Sequence, residues 1–262
     1  MKKVLFIALP VLLAACKNDD KNAGTTTHPE GPKSMSYSIL ETFPHDTSSY
    51  TQGLIVYKGE LYEGTGLEGK SRLMKVDLKS GKAKQSIKLD SIYFGEGITV
   101  INDTLYQLTW RNKVVFMYSL KDFKKLKEFP IATDGWGLTN NGTELIVSDG
   151  TSNLNYYEPG SFKFLRSVNI TEAGELIDRV NELEYINGYI YANRYQTFEI
   201  LKIDPVTGVV IAKADLSDVG SQVKSKYPWV DYFNGIAYDP VTKKIYVTGK
   251  LWPELYEIQL SN

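Results

Sequence analysis

The chain has 262 residues, a formal net charge of −1, one cysteine and two histidines. The balanced charge excludes the basic surface with which proteins bind nucleic acid. A single cysteine excludes an internal disulfide, so the folded domain depends on its core alone. The 18 tyrosines and 21 glycines, together with few helical patterns, favour an all-β protein.

The first 15 residues predict a lipoprotein signal peptide. Met1 and the two lysines after it form a basic start, and residues 4–13 form an apolar run that is too short to span a bilayer. The segment ends in Leu-Ala-Ala before Cys16, which resembles the bacterial lipobox that is cleaved before a lipidated cysteine. We therefore expect an exported bacterial lipoprotein whose Cys16 anchors it in a lipid bilayer, at the periplasmic face or the cell surface. The alternative is an accidental cysteine after an ordinary signal peptide.

Residues 16–35 are polar, carry glycine, proline and charge, and show no periodicity. This composition predicts a flexible tether between the lipid and the domain. Residues 36–262 are enough for one sizeable domain, which we expect to be monomeric.

Within this domain a pattern returns five times, and its starts are 44, 40, 45 and 53 residues apart. Each copy has strand-like runs separated by turn signals, such as the Asn-Gly pairs at 141–142 and 187–188. This period is typical of β-propellers. The fifth copy ends after three strands, while a spare strand at residues 37–43 precedes the first copy. We predict an all-β, five-bladed β-propeller in which this N-terminal strand completes the last blade and closes the ring.

Two positions recur in every copy, which we call the first and second markers. The first marker stands at the start of the inner strand: Gln52, Glu96, Trp136, Asn181 and Asn234. The second marker stands at the end of the second strand: Gly66, Trp110, Gly150, Tyr195 and Lys250. Because the second strand runs antiparallel to the inner strand, both markers lie at one end of the central channel. We expect them to form a single site there.

The connections that enter the fourth and fifth inner strands are the longest, at residues 171–179 and 217–232. Both enter from the same end of the channel and are expected to wall the site. Residues 171–178 predict a short helix with Thr171 as its cap.

The residue types at the markers restrict the chemistry. They include no Ser, Thr, Cys or His, which disfavours nucleophilic catalysis by serine or cysteine. The chain has only His28 and His45, which disfavours a catalytic zinc site, so we expect no catalytic metal. Glu96 is the one carboxylate among the markers and suits a general acid or base, because burial raises a carboxyl pKa. Lys250 and the amides suit polarisation of a carbonyl oxygen.

Several of these residues also have a structural interpretation. Glu96 and Lys250 could form an ion pair across the channel mouth. A carboxylate inside the second strand, Glu63, is expected to make local hydrogen bonds only. The other structural interpretations are Trp136 as a core residue, Asn234 as a cap at the strand entry, and Gly66 and Gly150 as turn residues.

The chain resembles the glutamine cyclotransferases of plants and bacteria, which are β-propeller glutaminyl cyclases. Seven motifs in order carry the resemblance: PHDTSSYTQGL (44–54), YEGTGLEGKS (62–71), FGEGIT (94–99), QLTWRN (107–112), DGWGLT (134–139), NELEYINGYIYAN (181–193) and FNGIAYDPVTKKIYVTGKLWP (233–253). The resemblance as a whole spans nearly the entire domain, from about residue 37 to residue 260. The resemblance implies cyclisation of an N-terminal glutaminyl residue of a peptide or protein to pyroglutamate, with release of ammonia.

The resemblance also implies roles for residues. Glu96 corresponds to the catalytic acid of the FGEG motif, and we expect Lys250 and Asn181 to hold the amide oxygen beside it. We expect these residues to bind the substrate: Tyr50, Gln52, Phe94, Trp110, Trp136, Tyr195 and Asn234. Tyr195 departs from the family, which has tryptophan there, and Arg194 stands in place of an aliphatic residue. No cofactor is required, although a structural calcium ion in the channel is compatible with the fold.

Two other functions remain open at this point. A propeller fold does not itself give a function, so the chain could be a non-enzymatic, lipid-tethered binding module. A lactonase-like hydrolase is disfavoured, because its metal needs a ring of carboxylates and the markers include only Glu96.

Overall fold

A computed structural model describes residues 30–261. The predicted signal peptide, Cys16 and most of the predicted tether lie outside the described residues. In chain order the strands are β1 (Lys33–Ser34), β2 (Ser36–Pro44), β3 (Thr51–Tyr57), β4 (Glu60–Thr65), β5 (Arg72–Asp77), β6 (Lys82–Lys88), β7 (Gly95–Ile101), β8 (Thr104–Thr109), β9 (Val114–Ser119), β10 (Lys125–Pro130), β11 (Leu138–Asn140), β12 (Leu145–Ser148), β13 (Asn153–Tyr157), β14 (Phe164–Asn169), β15 (Thr171–Glu172), β16 (Glu175–Leu176), β17 (Val180–Ile186), β18 (Tyr189–Arg194), β19 (Glu199–Ile203), β20 (Val210–Asp215), β21 (Phe233–Tyr238), β22 (Ile245–Gly249) and β23 (Glu254–Ser261). The one helix of the described residues is α1 (Ser217–Lys226).

Most of the strands form five four-stranded antiparallel sheets, which are the blades of a propeller. Blade 1 is β3–β6, blade 2 is β7–β10, blade 3 is β11–β14, blade 4 is β17–β20, and blade 5 is β21–β23 with β2. The innermost strands β3, β7, β11, β17 and β21 contact one another in that order around the central channel. Buried apolar side chains fill the space between the blades. The predicted five-bladed fold is confirmed.

The ring is closed by the two ends of the domain. Strand β2 pairs antiparallel with β23, with Tyr37 opposite Leu260 and Phe43 opposite Leu255. The N-terminal strand therefore supplies the outer strand of blade 5, as predicted, and β23 is not left as an unpaired edge. The fold also begins earlier than the predicted boundary at residue 36, because Lys33 and Ser34 pair in parallel with β20 and Met35 is buried.

The residue after the first marker lies where the inner strands of neighbouring blades are closest. A Cβ atom added to Gly53 would lie 2.4 Å from the backbone nitrogen of Ile98. A Cβ atom on Gly137 would lie 1.9 Å from the carbonyl oxygen of Asn181. The recurring glycine is therefore required by the close approach of two backbones.

Blade 4 is the exception, because its residue at this position is Glu182. The fully buried carboxyl group of Glu182 accepts hydrogen bonds from the backbone N–H groups of Leu54 (3.2 Å) and Ile236 (2.9 Å). It thereby joins the inner strands of blades 1, 4 and 5. Burial, and then the neighbouring Glu184, raise the pKa of Glu182 well above its ordinary value.

The connection into blade 4 differs from the prediction. Residues 171–176 form a small hairpin of β15 and β16, so the predicted helix at 171–178 is wrong. Ala173 and Gly174 both have positive φ angles, of 50° and 87°, which is the conformation of a two-residue hairpin turn. The helix α1 lies instead in the connection into blade 5. No helix in residues 30–261 has the length and apolar character that crossing a membrane requires.

Candidate active site

Nine of the predicted site residues line one cavity of about 190 Å3 at the mouth of the channel. They are Tyr50, Gln52, Phe94, Glu96, Trp110, Trp136, Asn181, Tyr195 and Lys250. All five blades contribute to this wall. The repeat therefore predicted the place of the cavity as well as most of its lining.

A recurring backbone hydrogen bond brings the two markers together. In four blades the second marker donates its N–H to the carbonyl two residues before the first marker: Gly66 to Tyr50 (2.8 Å), Trp110 to Phe94 (3.0 Å), Tyr195 to Arg179 (2.7 Å) and Lys250 to Tyr232 (2.9 Å). The side chains of both markers consequently start from adjacent points at the mouth.

The two marker glycines make room for aromatic rings, Phe94 of the next blade at Gly66 and Trp136 of the same blade at Gly150. A Cβ atom on Gly66 would lie 2.2 Å from the ring of Phe94, and one on Gly150 would lie 2.7 Å from the indole of Trp136. Gly150 also has a φ of +81°, which fits the turn interpretation. Gly66 has no such φ, so its role is to leave space for the cavity wall.

Glu96 is 4% exposed and faces the cavity from the start of β7. Its Oε1 accepts a hydrogen bond of 3.1 Å from Nε2 of Gln52, while its Oε2 makes no hydrogen bond to residues 30–261. Burial raises the pKa of Glu96 well above its ordinary value; Lys250 acts in the opposite direction and Asp134 adds to the rise. A raised pKa makes the ionised carboxyl group a stronger proton acceptor, which suits it to general acid–base catalysis.

Lys250 is 3% exposed, and its ammonium group lies between two aromatic rings. The Nζ atom is 4.8 Å from the ring centroid of Tyr50 and 5.1 Å from that of Tyr195. No carboxylate of residues 30–261 lies within 4.0 Å of it, so the ion pair with Glu96 considered above is not formed. Burial lowers the pKa of Lys250, and the more distant Glu96 and Asp231 oppose that effect.

Asn181 offers a further polar group in the cavity wall. It is 3% exposed, and its Oδ1 has no hydrogen-bond partner within the described residues. Its backbone carbonyl accepts a bond of 2.6 Å from the hydroxyl of Ser148, which fixes the start of β17. The backbone at the start of β17 is thus fixed, and the side-chain amide in the cavity wall keeps an oxygen without a hydrogen-bond partner among the described residues.

Asn234 is the predicted binding residue that the structure does not bring into the cavity lining. It is buried beneath Gln52, and its Nδ2 donates to Oε1 of Gln52 (3.2 Å) and to the carbonyl of Thr51 (3.0 Å). Gln52 in turn donates to Glu96. Asn234 therefore orients Gln52, in keeping with a structural rather than a binding role.

Sequence reasoning missed Asp231, which has no counterpart of its type at most equivalent positions of the repeat. Its Oδ2 accepts a hydrogen bond of 2.7 Å from the hydroxyl of Tyr50. Its backbone N–H also donates to the carbonyl of Lys250 (2.9 Å). Asp231 thus fixes one of the two rings beside the Lys250 ammonium. The only available signal was its place in the long connection that was predicted to wall the site.

The expectation of a local role for Glu63 is met. Its carboxylate accepts hydrogen bonds from Nε2 of His45 (3.1 Å) and from the hydroxyls of Ser49 (3.2 Å) and Thr51 (2.7 Å). His45 also donates through Nδ1 to the carbonyl of Trp252 (2.7 Å). None of these side chains lines the cavity.

The described part of the chain contains no group of three or more His, Cys, Asp or Glu side chains that could hold a metal ion. The cavity itself presents one carboxyl group, one ammonium group, two amides and five aromatic rings. This set can bind a small amide-containing ligand, move a proton and stabilise a developing negative charge on oxygen.

Comparison with known proteins agrees with this site. The sequence model of the glutamine cyclotransferase family matches residues 7–260. Over 226 residues the chain is 41% identical to a glutaminyl-peptide cyclotransferase of Arabidopsis thaliana, which covers 85% of this chain and 70% of that protein. The crystal structure of Myxococcus xanthus glutaminyl cyclase matches with a TM-score of 0.83 and 33% identity, over 88% of this chain and 98% of that one. This chain belongs to the glutamine cyclotransferase family.

Proposed function

We propose that this protein cyclises the N-terminal glutaminyl residue of peptides and proteins to pyroglutamate and releases ammonia. The observation that carries the proposal is the arrangement of Glu96 and Lys250, which are both buried in one small cavity without forming an ion pair. The reaction is inferred from the family and its relatives. The residues of the cavity can bind the substrate, transfer the proton and stabilise the charge that this reaction requires.

The cavity has the size of a single residue. A water molecule occupies about 30 Å3 in the liquid, so a volume of about 190 Å3 corresponds to roughly six waters. A glutaminyl residue folded back on its own α-amine is compact enough for this space. Trp110 and Trp136 stand at the wall of the cavity and clamp its side chain. Holding amine and amide in contact provides the proximity that an intramolecular reaction needs.

Glu96 moves the proton. An α-amine has a pKa of about 8 and is mostly protonated at neutral pH, so it must lose a proton before it attacks. Oε2 of Glu96 accepts that proton, the amine nitrogen forms a bond to the side-chain amide carbon, and the bond from that carbon to the amide nitrogen breaks. Glu96 returns the proton to the departing nitrogen, which leaves as ammonia, and the attacking nitrogen, now part of the lactam ring, releases its second proton to solvent. Proton transfer of this kind contributes roughly 10²–10⁴-fold to a rate.

Lys250 and Asn181 stabilise the oxygen. During the attack the amide oxygen gains negative charge, and a buried ammonium group stabilises it more strongly than water does. Nδ2 of Asn181 donates a second hydrogen bond to the same oxygen. No cofactor enters this mechanism.

The proposal extends to the location of the protein. Cys16 carries the lipid anchor after removal of residues 1–15, and the tether presents a monomeric propeller outside the cytoplasm. The lipobox resemblance supports this assignment. A Cys16→Ser variant should move from the membrane fraction to the soluble fraction after export; retention in the membrane would contradict it.

The direct test of the reaction uses the domain from residue 30 onward and amidated peptides that begin with glutamine. We expect release of ammonia and loss of one ammonia mass from the peptide. Peptides that begin with asparagine, whose side chain is one carbon shorter, serve as controls. Absence of ammonia release from folded protein would instead favour a non-enzymatic binding module.

A further inference from the structure

The small cavity implies that most of a peptide substrate lies outside it. With room for about six waters, the cavity accepts the glutaminyl residue, and the chain must continue over the rim. Consecutive Cα atoms are about 3.8 Å apart, so the next two residues pass over the side chains that surround the mouth. The chemistry of those side chains decides which peptides bind best.

One rim residue is stacked on the wall of the cavity. The guanidinium carbon of Arg111 lies 4.0 Å from the ring centroid of Trp110, which lines the cavity. Arg111 belongs to the exposed turn between β8 and β9 and is itself outside the lining. Its guanidinium therefore lies against the Trp110 indole at the rim of the cavity, outside the lining.

Two other cations near the mouth already have carboxylate neighbours. Lys113 lies 4.0 Å from Asp134, and Arg194 lies 3.8 Å from both Asp178 and Glu199. Among residues 30–261, no carboxylate comes within 4.0 Å of Arg111. Arg111 is thus a rim cation with free N–H groups.

Stacking prepares this group to bind an anion. Contact with an indole face holds the guanidinium plane in one orientation and reduces the freedom that is lost on binding. The N–H groups at its edge stay available, and a guanidinium binds a carboxylate through two parallel hydrogen bonds. An ordinary surface lysine has neither the fixed plane nor the paired geometry.

We propose that Arg111 forms a subsite for an acidic side chain at one of the two positions that follow the N-terminal glutamine. This inference rests on the proposed cyclase activity and adds a substrate preference to it. The protein then favours peptides that begin Gln-Glu, Gln-Asp or Gln-Xaa-Glu over those with lysine at the same places.

The test compares substrate preference among variants. Amidated peptides with Glu or Lys at position two, and a second pair with Glu or Lys at position three, exclude any contribution of a C-terminal carboxylate. For each pair the ratio of kcat/KM values, Glu over Lys, is measured for the unmodified protein, Arg111→Gln, Arg111→Lys and the control Lys113→Gln. Lys113 lies in the same exposed turn and lacks the stacking.

The unmodified protein should prefer the acidic peptide of at least one pair, and Arg111→Gln should lower that ratio about three- to fivefold, the range for an exposed ion pair. Arg111→Lys should retain part of the preference, while Lys113→Gln should keep the full ratio. Raising the salt concentration should reduce the preference, because the screening length is about 10 Å at 0.1 M salt.

Two results would overturn the subsite. In one, Arg111→Gln changes kcat/KM for both peptides of each pair by the same factor, so that Arg111 only supports Trp110. In the other, the ratios are the same in all four proteins. A failure of the cyclase assignment is distinguishable, because no peptide would then release ammonia with any of the proteins.

Discussion

Two pairs of an acid and a base are buried in this protein. One is His45 and Glu63 between blades 1 and 5, and the other is Glu96 and Lys250 at the cavity. Their exposures are 7% and 1% in the first pair and 4% and 3% in the second. In the first pair, both histidine nitrogens and both carboxylate oxygens have partners. In the second pair, the ammonium faces two aromatic rings and one carboxylate oxygen has no protein partner.

The difference separates a structural pair from a chemical one. A buried charge without partners costs free energy, so the fold retains it only where a ligand or a reaction uses it. The hydrogen bonds of His45 and Glu63 all go to protein groups, and they connect a segment near the start of the domain with one near its end. The groups at the cavity have fewer protein partners and can bind the substrate. Variants of the two pairs should therefore affect different measurements.

The largest expected effect is on catalysis by Glu96→Gln. The amide keeps the shape of the side chain but cannot accept the proton, so kcat should fall by roughly 10²–10⁴-fold. The free energy of unfolding should not decrease, because the variant removes a buried ionisable group that has few partners. Ammonia release and denaturant unfolding measure the two quantities. Near-normal turnover would refute the role of Glu96.

The reverse outcome is expected for Glu63→Gln. Removing one member of a buried, bonded pair costs about 3–5 kcal/mol of unfolding free energy, because His45 is left buried without its counter-charge. Glu60→Gln is the matched control on the same strand: Glu60 pairs with exposed Lys84, and such pairs contribute about 1 kcal/mol or less. Equal losses in the two variants would contradict a special role for the His45 network. Turnover by the folded fraction of Glu63→Gln should be unchanged.

A smaller effect should appear in the dependence of stability on pH. Burial alone would lower the pKa of His45, but Glu63 and the Trp252 carbonyl outweigh it and raise the pKa above 6.5. The stabilisation is therefore fully present below pH 6.5 and is lost as the pH rises through the folded-state pKa. The slope is at most about 1.4 kcal/mol per pH unit.

His45 is the only histidine from residue 30 onward, so NMR titration of the domain reports its ring without overlap. A folded-state pKa below 6.5 would contradict this account. Denaturant unfolding across the same pH range supplies the corresponding stability change.

The smallest effect is expected for Asp231→Asn. The hydroxyl of Tyr50 would lose a charged acceptor, which weakens its hold on the ring beside Lys250 by about 1 kcal/mol, or roughly fivefold in kcat/KM. The same substitution in a Tyr50→Phe background should have little further effect, because the bond is already absent. Additive losses would show that Asp231 does not act through Tyr50.

Much of the fold and of the site follows from the repeat. The unpaired strand at residues 37–43 and the truncated fifth copy predict the ring closure. The phase of the markers predicts that Glu96 and Lys250 share a cavity, although 154 positions separate residue 96 from residue 250. The repeat predicts the backbone position of each marker residue, because all blades repeat one backbone geometry.

The remaining features depend on contacts between copies or in the irregular connections. Asn234 occupies a marker position but turns beneath Gln52, since that amide offers it an acceptor. The Ala-Gly turn of residues 173–174 outweighs the helical propensity around it. Asp231 lies outside the repeated strands, so no period could indicate its bond to Tyr50.

The pairing of β2 with β23 has a consequence for the timing of folding. Phe43 meets Leu255, so the contact that completes blade 5 joins positions near the two ends of the domain. Contacts between such distant positions form slowly, because a long loop must close first. Tyr50 follows β2 in the sequence and Lys250 precedes β23, so the cavity also needs both ends of the domain. A nascent chain therefore remains inactive until its last strand is available, and a truncated product should have no cyclase activity.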